Sequence, residues 1–169
     1  MYSKYLLMDS DKKIGVLFVC MGNICRSPTA EGAFRKVVTD AGLLDRIHIE
    51  SAGTHAYHVG HPPDHRAQAA ANRRGIMLKN IRAKRVRDED FESFDYILAM
   101  DRDNLGELAA RAPQEYRDRL HLFLEFAGAG GALEVPDPYY GGPTGFELVL
   151  DLVEEASRRL LERIRSGRY

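Results

Sequence analysis

A short loop between an apolar strand and a helix constrains this 169-residue chain more than any other feature. Residues 14–19 are an apolar run that predicts a buried strand, and the dipeptide Ser27-Pro28 predicts the start of a helix. A tight turn from a strand into a helix N-terminus points backbone N–H groups at one place, with the positive end of the helix dipole behind them. The intervening loop is therefore predicted to cradle a tetrahedral anion.

Cys20 and Arg26 stand at the two ends of this loop. A chain that wraps around a phosphate can bring the guanidinium back to face it with two parallel hydrogen bonds, which a lysine cannot supply. A cysteine beside a helix N-terminus and a cation is favoured as the nucleophilic thiolate. Gly22 and Asn23 are residue types that tolerate the left-handed backbone such a loop needs. The predicted phosphate-binding residues are Met21, Gly22, Asn23, Ile24, Cys25 and Arg26.

Five sequence blocks resemble those of the low-molecular-weight protein tyrosine phosphatases, and they occur in that family's order. They are VLFVCMGNICRSPTAEG at 16–32, SAGT at 51–54, PPD at 62–64, FDYILAMD at 94–101 and VPDPYY at 135–140. The resemblance implies a catalytic domain over residues 14–169 that uses no cofactor and no metal. Its implied substrates are phosphotyrosine-containing proteins and small aryl phosphates, with inorganic phosphate as product and competitive inhibitor. Residues 1–13 fall outside it and are expected to form a flexible extension.

The same resemblance implies a division of labour in the site. Cys20 would attack phosphorus to form a thiophosphoryl-enzyme, while Arg26 and the loop amides hold the oxygens. Asp137, held extended between two prolines, would protonate the leaving phenolate and then activate water. The pocket walls are expected to be Tyr57, Tyr139 and Tyr140.

Three supporting residues have alternative roles on sequence grounds. Ser27 either donates its hydroxyl to the Cys20 sulfur or caps the following helix. Asn23 either braces the loop through its side chain or is simply a turn residue. Cys25 either traps oxidised Cys20 as a disulfide or is a small buried hydrophobic residue.

Apolar runs alternate with helical patterns along the rest of the chain. This alternation predicts a single-domain three-layer α/β sandwich, with a central four-stranded parallel sheet and helices on both faces. Strands are predicted at 14–19, 47–52, 96–100 and 120–124, and helices at 28–41, 64–74 and 105–112, with a last helix opened by a Thr144–Glu147 capping box. Cys20 then falls at the carboxyl end of a strand, where active sites of such sheets lie.

Composition limits the partners and the compartment. Lysine and arginine number 24 against 25 aspartates and glutamates, so no overall attraction to nucleic acid or to a membrane is expected. Two cysteines are too few for a disulfide framework or a zinc ribbon, and a reactive thiol favours the reducing cytoplasm. His55, His58, His61 and His65 form a cluster that is not expected to bind a metal, and the histidines from His55 to His61 are expected to lie on an exposed loop at the pocket mouth.

Two rival functions use the same loop. An arsenate reductase on this scaffold needs further cysteines to pass a disulfide outward, and none exist beyond Cys25. A phosphate-binding module without turnover needs neither the thiol of Cys20 nor the carboxylate of Asp137. The sequence therefore favours a phosphatase.

Overall fold

The computed structural model describes residues 13–128, 130–139 and 141–167, and its centre is a sheet of four parallel strands in the order β2-β1-β3-β4. The strands are β1 (Ile14–Cys20), β2 (Ile47–Gly53), β3 (Tyr96–Ala99) and β4 (Leu120–Leu122). In β1, Phe18 lies opposite Ser51 of β2 and Leu98 of β3. The central position of β1 explains its unbroken apolar run, because both of its faces are covered.

Helices cover both faces of the sheet, which confirms the predicted three-layer sandwich. They are α1 (Arg26–Asp40), α2 (His65–Asn72), α3 (Asp90–Ser93), α4 (Arg102–Arg111) and α5 (Pro143–Arg165). Phe18 points to the α1, α2 and α5 side, whereas Leu17 packs with residues of α3 and α4 on the other. Two 3₁₀ helices, Gln114–Arg119 and Phe123–Ala127, flank β4. The predicted extension at 1–13 lies outside the described residues except for Lys13.

The longest helix, α5, buries the apolar stripe that its sequence predicts. The buried residues at steps of three and four are Phe146, Val149, Val153, Ala156, Leu160 and Ile164. No helix in the described part of the chain has both the length and the apolar character needed to cross a membrane.

Two helix starts differ from the predictions. The helix after the loop begins at Arg26 with Cys25 as its N-cap, so the prediction that Ser27 caps it is wrong. The Ser27 hydroxyl is instead engaged by the Cys20 sulfur. Helix α4 begins at Arg102, three residues earlier than predicted, because the Asp101 carboxylate accepts a hydrogen bond from the Asn104 N–H and caps it.

Two further boundaries are also corrected. The capping box is wrong, since α5 begins at Pro143 without a side-chain cap and Glu147 pairs instead with arginines beyond the end of α2. Strand β4 ends at Leu122, two residues early. Phe123 and Leu124 are both buried on the same side of the sheet, which a helical turn allows and an alternating strand does not.

Candidate active site

The Cys20 sulfur lies at the carboxyl end of the central strand and receives hydrogen-bond donors from the loop that follows. Cys20 is the last residue of β1 and is 3% exposed. Its Sγ is 3.0 Å from Ser27 Oγ, and the Asn23 N–H donates to it at 3.3 Å. The arrangement suits a nucleophile.

Asn23 braces the loop and also occupies its sharpest turn. It has a φ of 59°, the left-handed conformation predicted for it. Its Nδ2 donates to Ser27 Oγ at 2.8 Å and to Ser51 Oγ at 2.9 Å, and its Oδ1 accepts from the Lys84 N–H at 3.0 Å. Because the Ser27 oxygen accepts from Asn23, the Ser27 hydrogen can point either at the Cys20 sulfur, 3.0 Å away, or at the Ala52 carbonyl, 3.4 Å away. Both roles considered for Asn23 are therefore present.

Glycine has a different use here from the one predicted. Gly22 does not adopt a positive φ, so that part of the prediction is wrong. The close approach occurs at Gly53, the last residue of β2, where a Cβ atom would lie 2.6 Å from the carbonyl oxygen of Met21. A side chain at position 53 would therefore push the loop away from the sheet.

Arg26 is buried and held by contacts from distant parts of the chain. Its side chain is 5% exposed, and NH1 donates to Asp101 Oδ2 at 2.6 Å and to the Val135 carbonyl at 3.1 Å. Burial by itself lowers the pKa of Arg26, but the neighbouring Cys20, Asp101 and Asp137 outweigh it and raise that pKa above its ordinary value. The guanidinium is thus a permanent cation that lines the same cavity as Cys20.

Asp137 faces the same site from an accessible loop. Its Oδ2 is 3.7 Å from Arg26 NH2, and its Oδ1 accepts a hydrogen bond from the Tyr139 N–H at 3.0 Å. The Asp137 side chain is 38% exposed, so both solvent and a ligand can reach it.

One cavity of about 350 Å³ brings most of the predicted site residues together. Its lining consists of Cys20, Met21, Gly22, Ile24, Cys25, Arg26, Tyr57, His58, Asp137 and Tyr139. The Tyr57 ring, 69% exposed, stacks on His55 with centroids 5.1 Å apart. Tyr140, the other predicted wall residue, lies outside the described residues. Of the predicted set, Asn23 and Ser27 are buried and do not line the cavity.

The two cysteines differ in their surroundings. Burial raises the pKa of Cys25, and the nearby Asp64, Cys20 and Asp137 raise it further. Across the described residues, no side chain or amide donates a hydrogen bond to the Cys25 sulfur as Ser27 and Asn23 do to Cys20. Cys25 is therefore held as a neutral thiol, and Cys20 is the better candidate nucleophile of the pair.

The histidine cluster does not converge on a point. His55 Nδ1 lies 2.9 Å from Thr54 Oγ1, and the rings of His58 and His61 are 6.1 Å apart. Within residues 13–128, 130–139 and 141–167, no three His, Cys, Asp or Glu side chains form a group suited to a metal ion.

Comparison with known proteins identifies the family of this chain. The model of the family described as low molecular weight phosphotyrosine protein phosphatase matches residues 15–168. The chain belongs to this family.

Proteins similar to this phosphatase come from several different organisms. The chain is 48% identical to the low molecular weight phosphotyrosine protein phosphatase of Schizosaccharomyces pombe over 136 residues, covering 80% of this chain and 86% of that protein. It is 41% identical to the Homo sapiens protein of the same name over 149 residues, covering 88% and 94%. A crystal structure of protein tyrosine phosphatase from Entamoeba histolytica, with Hepes in its active site, superposes with a TM-score of 0.88 at 41% identity, covering 92% and 99%.

Sequence reasoning assigned no role in the phosphatase site to several residues that support it. Asp101 holds Arg26, and Ser51 passes the Asn23 hydrogen bond on to Glu31 Oε1 at 2.7 Å. Asp101 lies just beyond the end of β3 and Ser51 near the end of β2. A polar residue at the carboxyl end of a parallel strand was the available signal, because those ends meet around the site.

Proposed function

We propose that this phosphatase hydrolyses phosphotyrosine in proteins, and small aryl phosphates, through a thiophosphoryl intermediate on Cys20. The observation that carries the proposal is that Cys20, Arg26 and Asp137 line one cavity. A thiol stabilised by two donors, a buried guanidinium and an accessible carboxyl group are the parts that such a reaction needs.

In the first step, the Cys20 thiolate forms a bond to phosphorus as the bond to the phenolic oxygen breaks. The phosphoryl oxygens carry the charge of a loose transition state, and Arg26 together with the loop amides stabilises it. Phenolate is a poor leaving group, since its conjugate acid has a pKa near ~10. Asp137 therefore donates its proton to the departing oxygen, so that the product leaves as neutral tyrosine.

In the second step, water attacks the phosphorus of the intermediate and the bond from sulfur to phosphorus breaks. Asp137, now a carboxylate, accepts a proton from that water. Ser27 and Asn23 stabilise the thiolate that leaves, because the Asn23 N–H donates to the Cys20 sulfur and the Ser27 hydroxyl, 3.0 Å away, can donate to it once the sulfur carries no proton. Inorganic phosphate is released and Asp137 is protonated again for the next turnover.

The cavity walls favour an aromatic substrate. Tyr57 and Tyr139 line it with exposed rings, and flat side chains of this kind pack on both sides of a phenyl ring. The names of the yeast and human relatives, which are phosphotyrosine protein phosphatases, support the same substrate class.

Turnover and trapping test the proposal directly. The purified enzyme should hydrolyse a phosphotyrosine peptide and p-nitrophenyl phosphate in the presence of EDTA, and inorganic phosphate should compete. Rapid quenching with radiolabelled substrate should trap phosphate on the protein. Cys25→Ser serves as the matched control, because it removes a thiol from the same loop and should still become labelled, whereas Cys20→Ser should not.

The same assay separates the alternatives. A requirement for added metal would contradict the mechanism. Reduction of arsenate at the expense of added thiols, without phosphatase turnover, would favour the reductase. Tight phosphate binding with no turnover on any aryl phosphate would point to a binding module.

A further inference from the structure

The loop that carries Asp137 is held on its N-terminal side by the sheet and the phosphate site. The Val135 N–H donates to the Met100 carbonyl at 2.8 Å, at the end of β3, and the Val135 carbonyl accepts from Arg26. These bonds fix the chain two residues before Asp137. On the C-terminal side of Asp137 the loop is exposed, and other contacts hold it there.

Arg66, on the first turn of α2, makes the contacts on the C-terminal side. Its NH2 donates to the Tyr139 carbonyl at 3.0 Å, across 73 positions of sequence. The guanidinium also lies over two rings, 5.5 Å from the centroid of Tyr139 and 4.8 Å from that of Phe146 in α5. A planar cation stacked on aromatic rings gains both attraction and a defined orientation.

The Tyr139 peptide connects this arginine to the candidate acid. Its carbonyl accepts from Arg66, and its N–H donates to Asp137 Oδ1 at 3.0 Å. A shift of the Tyr139 backbone therefore moves the donor that orients the Asp137 carboxyl group. A displacement of the order of 1 Å can cost a catalytic group much of its effect.

Asp64 completes the connection to the phosphate loop. Its carboxylate pairs with Arg66 through two bonds, to Nε and NH2, both at 3.1 Å, and its N–H donates to the Ile24 carbonyl at 2.8 Å. Burial by itself raises the pKa of Asp64, but the hydrogen bonds from Arg66 lower it below the ordinary value. The pair thus stays charged at neutral pH. It connects residues 135–139, the acid loop that carries Asp137, to residues 20–26, the phosphate loop that carries Cys20.

We infer that Arg66 is a positioning residue for the reaction, which holds the Asp137 carboxyl group over the substrate through the Tyr139 peptide. This inference rests on the proposed role of Asp137 as the acid. Arg66 does not line the cavity, so it acts on the leaving group only by way of that residue.

Leaving-group dependence tests the inference. Arg66→Met should lower kcat on a phosphotyrosine peptide roughly tenfold but on an activated nitrophenyl ester only about twofold, because only the basic leaving group depends on the acid. Arg73→Met is the matched control. Arg73 follows α2 and also contacts α5, through Glu147, yet among the described residues it has no hydrogen bond or ion pair with residues 135–139. It should show equal and small changes on both substrates.

The Asp137→Asn background distinguishes the possible failures. Arg66→Met should add no further leaving-group dependence there, and an added dependence would overturn the inference. If Asp137→Asn shows the dependence and Arg66→Met shows equal losses on both substrates, Arg66 is merely structural and only this inference fails. If Asp137→Asn itself loses equally on both substrates, the proposed acid and the inference fail together.

A fluorescence measurement gives a readout apart from catalysis. The chain contains no tryptophan, so Tyr139→Trp places a sole reporter in the loop. Acrylamide quenching of this reporter should increase when Arg66→Met is added, and unchanged quenching would overturn the inference. Should Arg66→Met not fold, Arg66→Lys takes its place. The lysine keeps a positive charge beside Asp64, but it cannot also reach the Tyr139 carbonyl as the planar guanidinium does. Increased quenching would again support the inference, and unchanged quenching would overturn it.

Discussion

The two loops that meet at the cavity are built in opposite ways. In the phosphate loop Cys20, Arg26 and Ser27 are 3%, 4% and 0% exposed, and the loop lies between the central strand and α1. In the acid loop the Asp137 side chain is 38% exposed and Tyr139 is 37% exposed. The residues assigned to attack on phosphorus are therefore buried in the core, although Met21 in the same loop is exposed, whereas Asp137 lies on the surface in a loop held by individual hydrogen bonds.

The difference separates two kinds of chemistry. Attack on phosphorus is common to every substrate, and the residues assigned to it are fixed by core packing, which permits little movement. Protonation depends on the leaving group, and the residue assigned to it lies where different substrates can approach. Substitutions in the first loop should therefore affect all aryl phosphates alike, and those in the second should depend on the substrate.

The largest effect is expected at the nucleophile. Cys20→Ser should abolish turnover of both phosphotyrosine and activated esters, because a hydroxyl in this site lacks the thiolate's nucleophilicity. Phosphate binding, measured by calorimetry, should remain, since the amides and Arg26 are unchanged. Residual turnover that depends on the leaving group would contradict the assignment of attack on phosphorus to the phosphate loop alone.

Mild peroxide should inactivate the enzyme completely but reversibly. Oxidation of Cys20 to the sulfenic acid, followed by attack of Cys25 with loss of water, forms a disulfide. Burial raises the pKa of Cys25, so closure should become faster as pH rises and more of that thiol is deprotonated. Mass spectrometry after alkylation checks it, and inactive enzyme with Cys20 as sulfonic acid and Cys25 free would contradict it.

At the exposed loop the effect should depend on the substrate. Asp137→Asn should slow hydrolysis of phosphotyrosine by roughly 10²–10⁴-fold and of a nitrophenyl ester by less. The measurement is kcat across a series of aryl phosphates of rising leaving-group pKa. A flat response would show that Asp137 only shapes the loop, and the contrast between the two loops would then fail.

Arg26→Lys should have a smaller effect that is uniform across substrates. Losing the charge-assisted fork at roughly 1.5–3 kcal/mol per bond implies a loss in kcat/KM of at least about tenfold, and of several hundredfold if both bonds are lost. A steady-state comparison on the same series checks it. A loss below about threefold would mean that the guanidinium does not contact the phosphate.

Local pattern accounts for the nucleophile loop and for the order of the layers. An apolar run, a tight turn and a helix start are all encoded within residues 14–28, and periodicity places the apolar stripe of α5. The boundaries that differ from pattern depend on distant groups. Ser27 is drawn to the Cys20 sulfur rather than to the helix end, and Glu147 is drawn to Arg73 and Arg74.

The amino-acid pattern determines which chemical groups the phosphatase possesses, but tertiary structure decides how they are held. Arg26 meets Asp101 across 75 positions and Val135 across 109, and Arg66 meets Tyr139 across 73. No local period encodes such pairs. The Arg26 contacts form where parallel strands bring their carboxyl ends to one edge of the sheet, and the Arg66 contact forms between α2 and the loop that precedes α5. The sequence therefore predicts the proposed nucleophile, and only the fold shows which contacts orient the proposed acid.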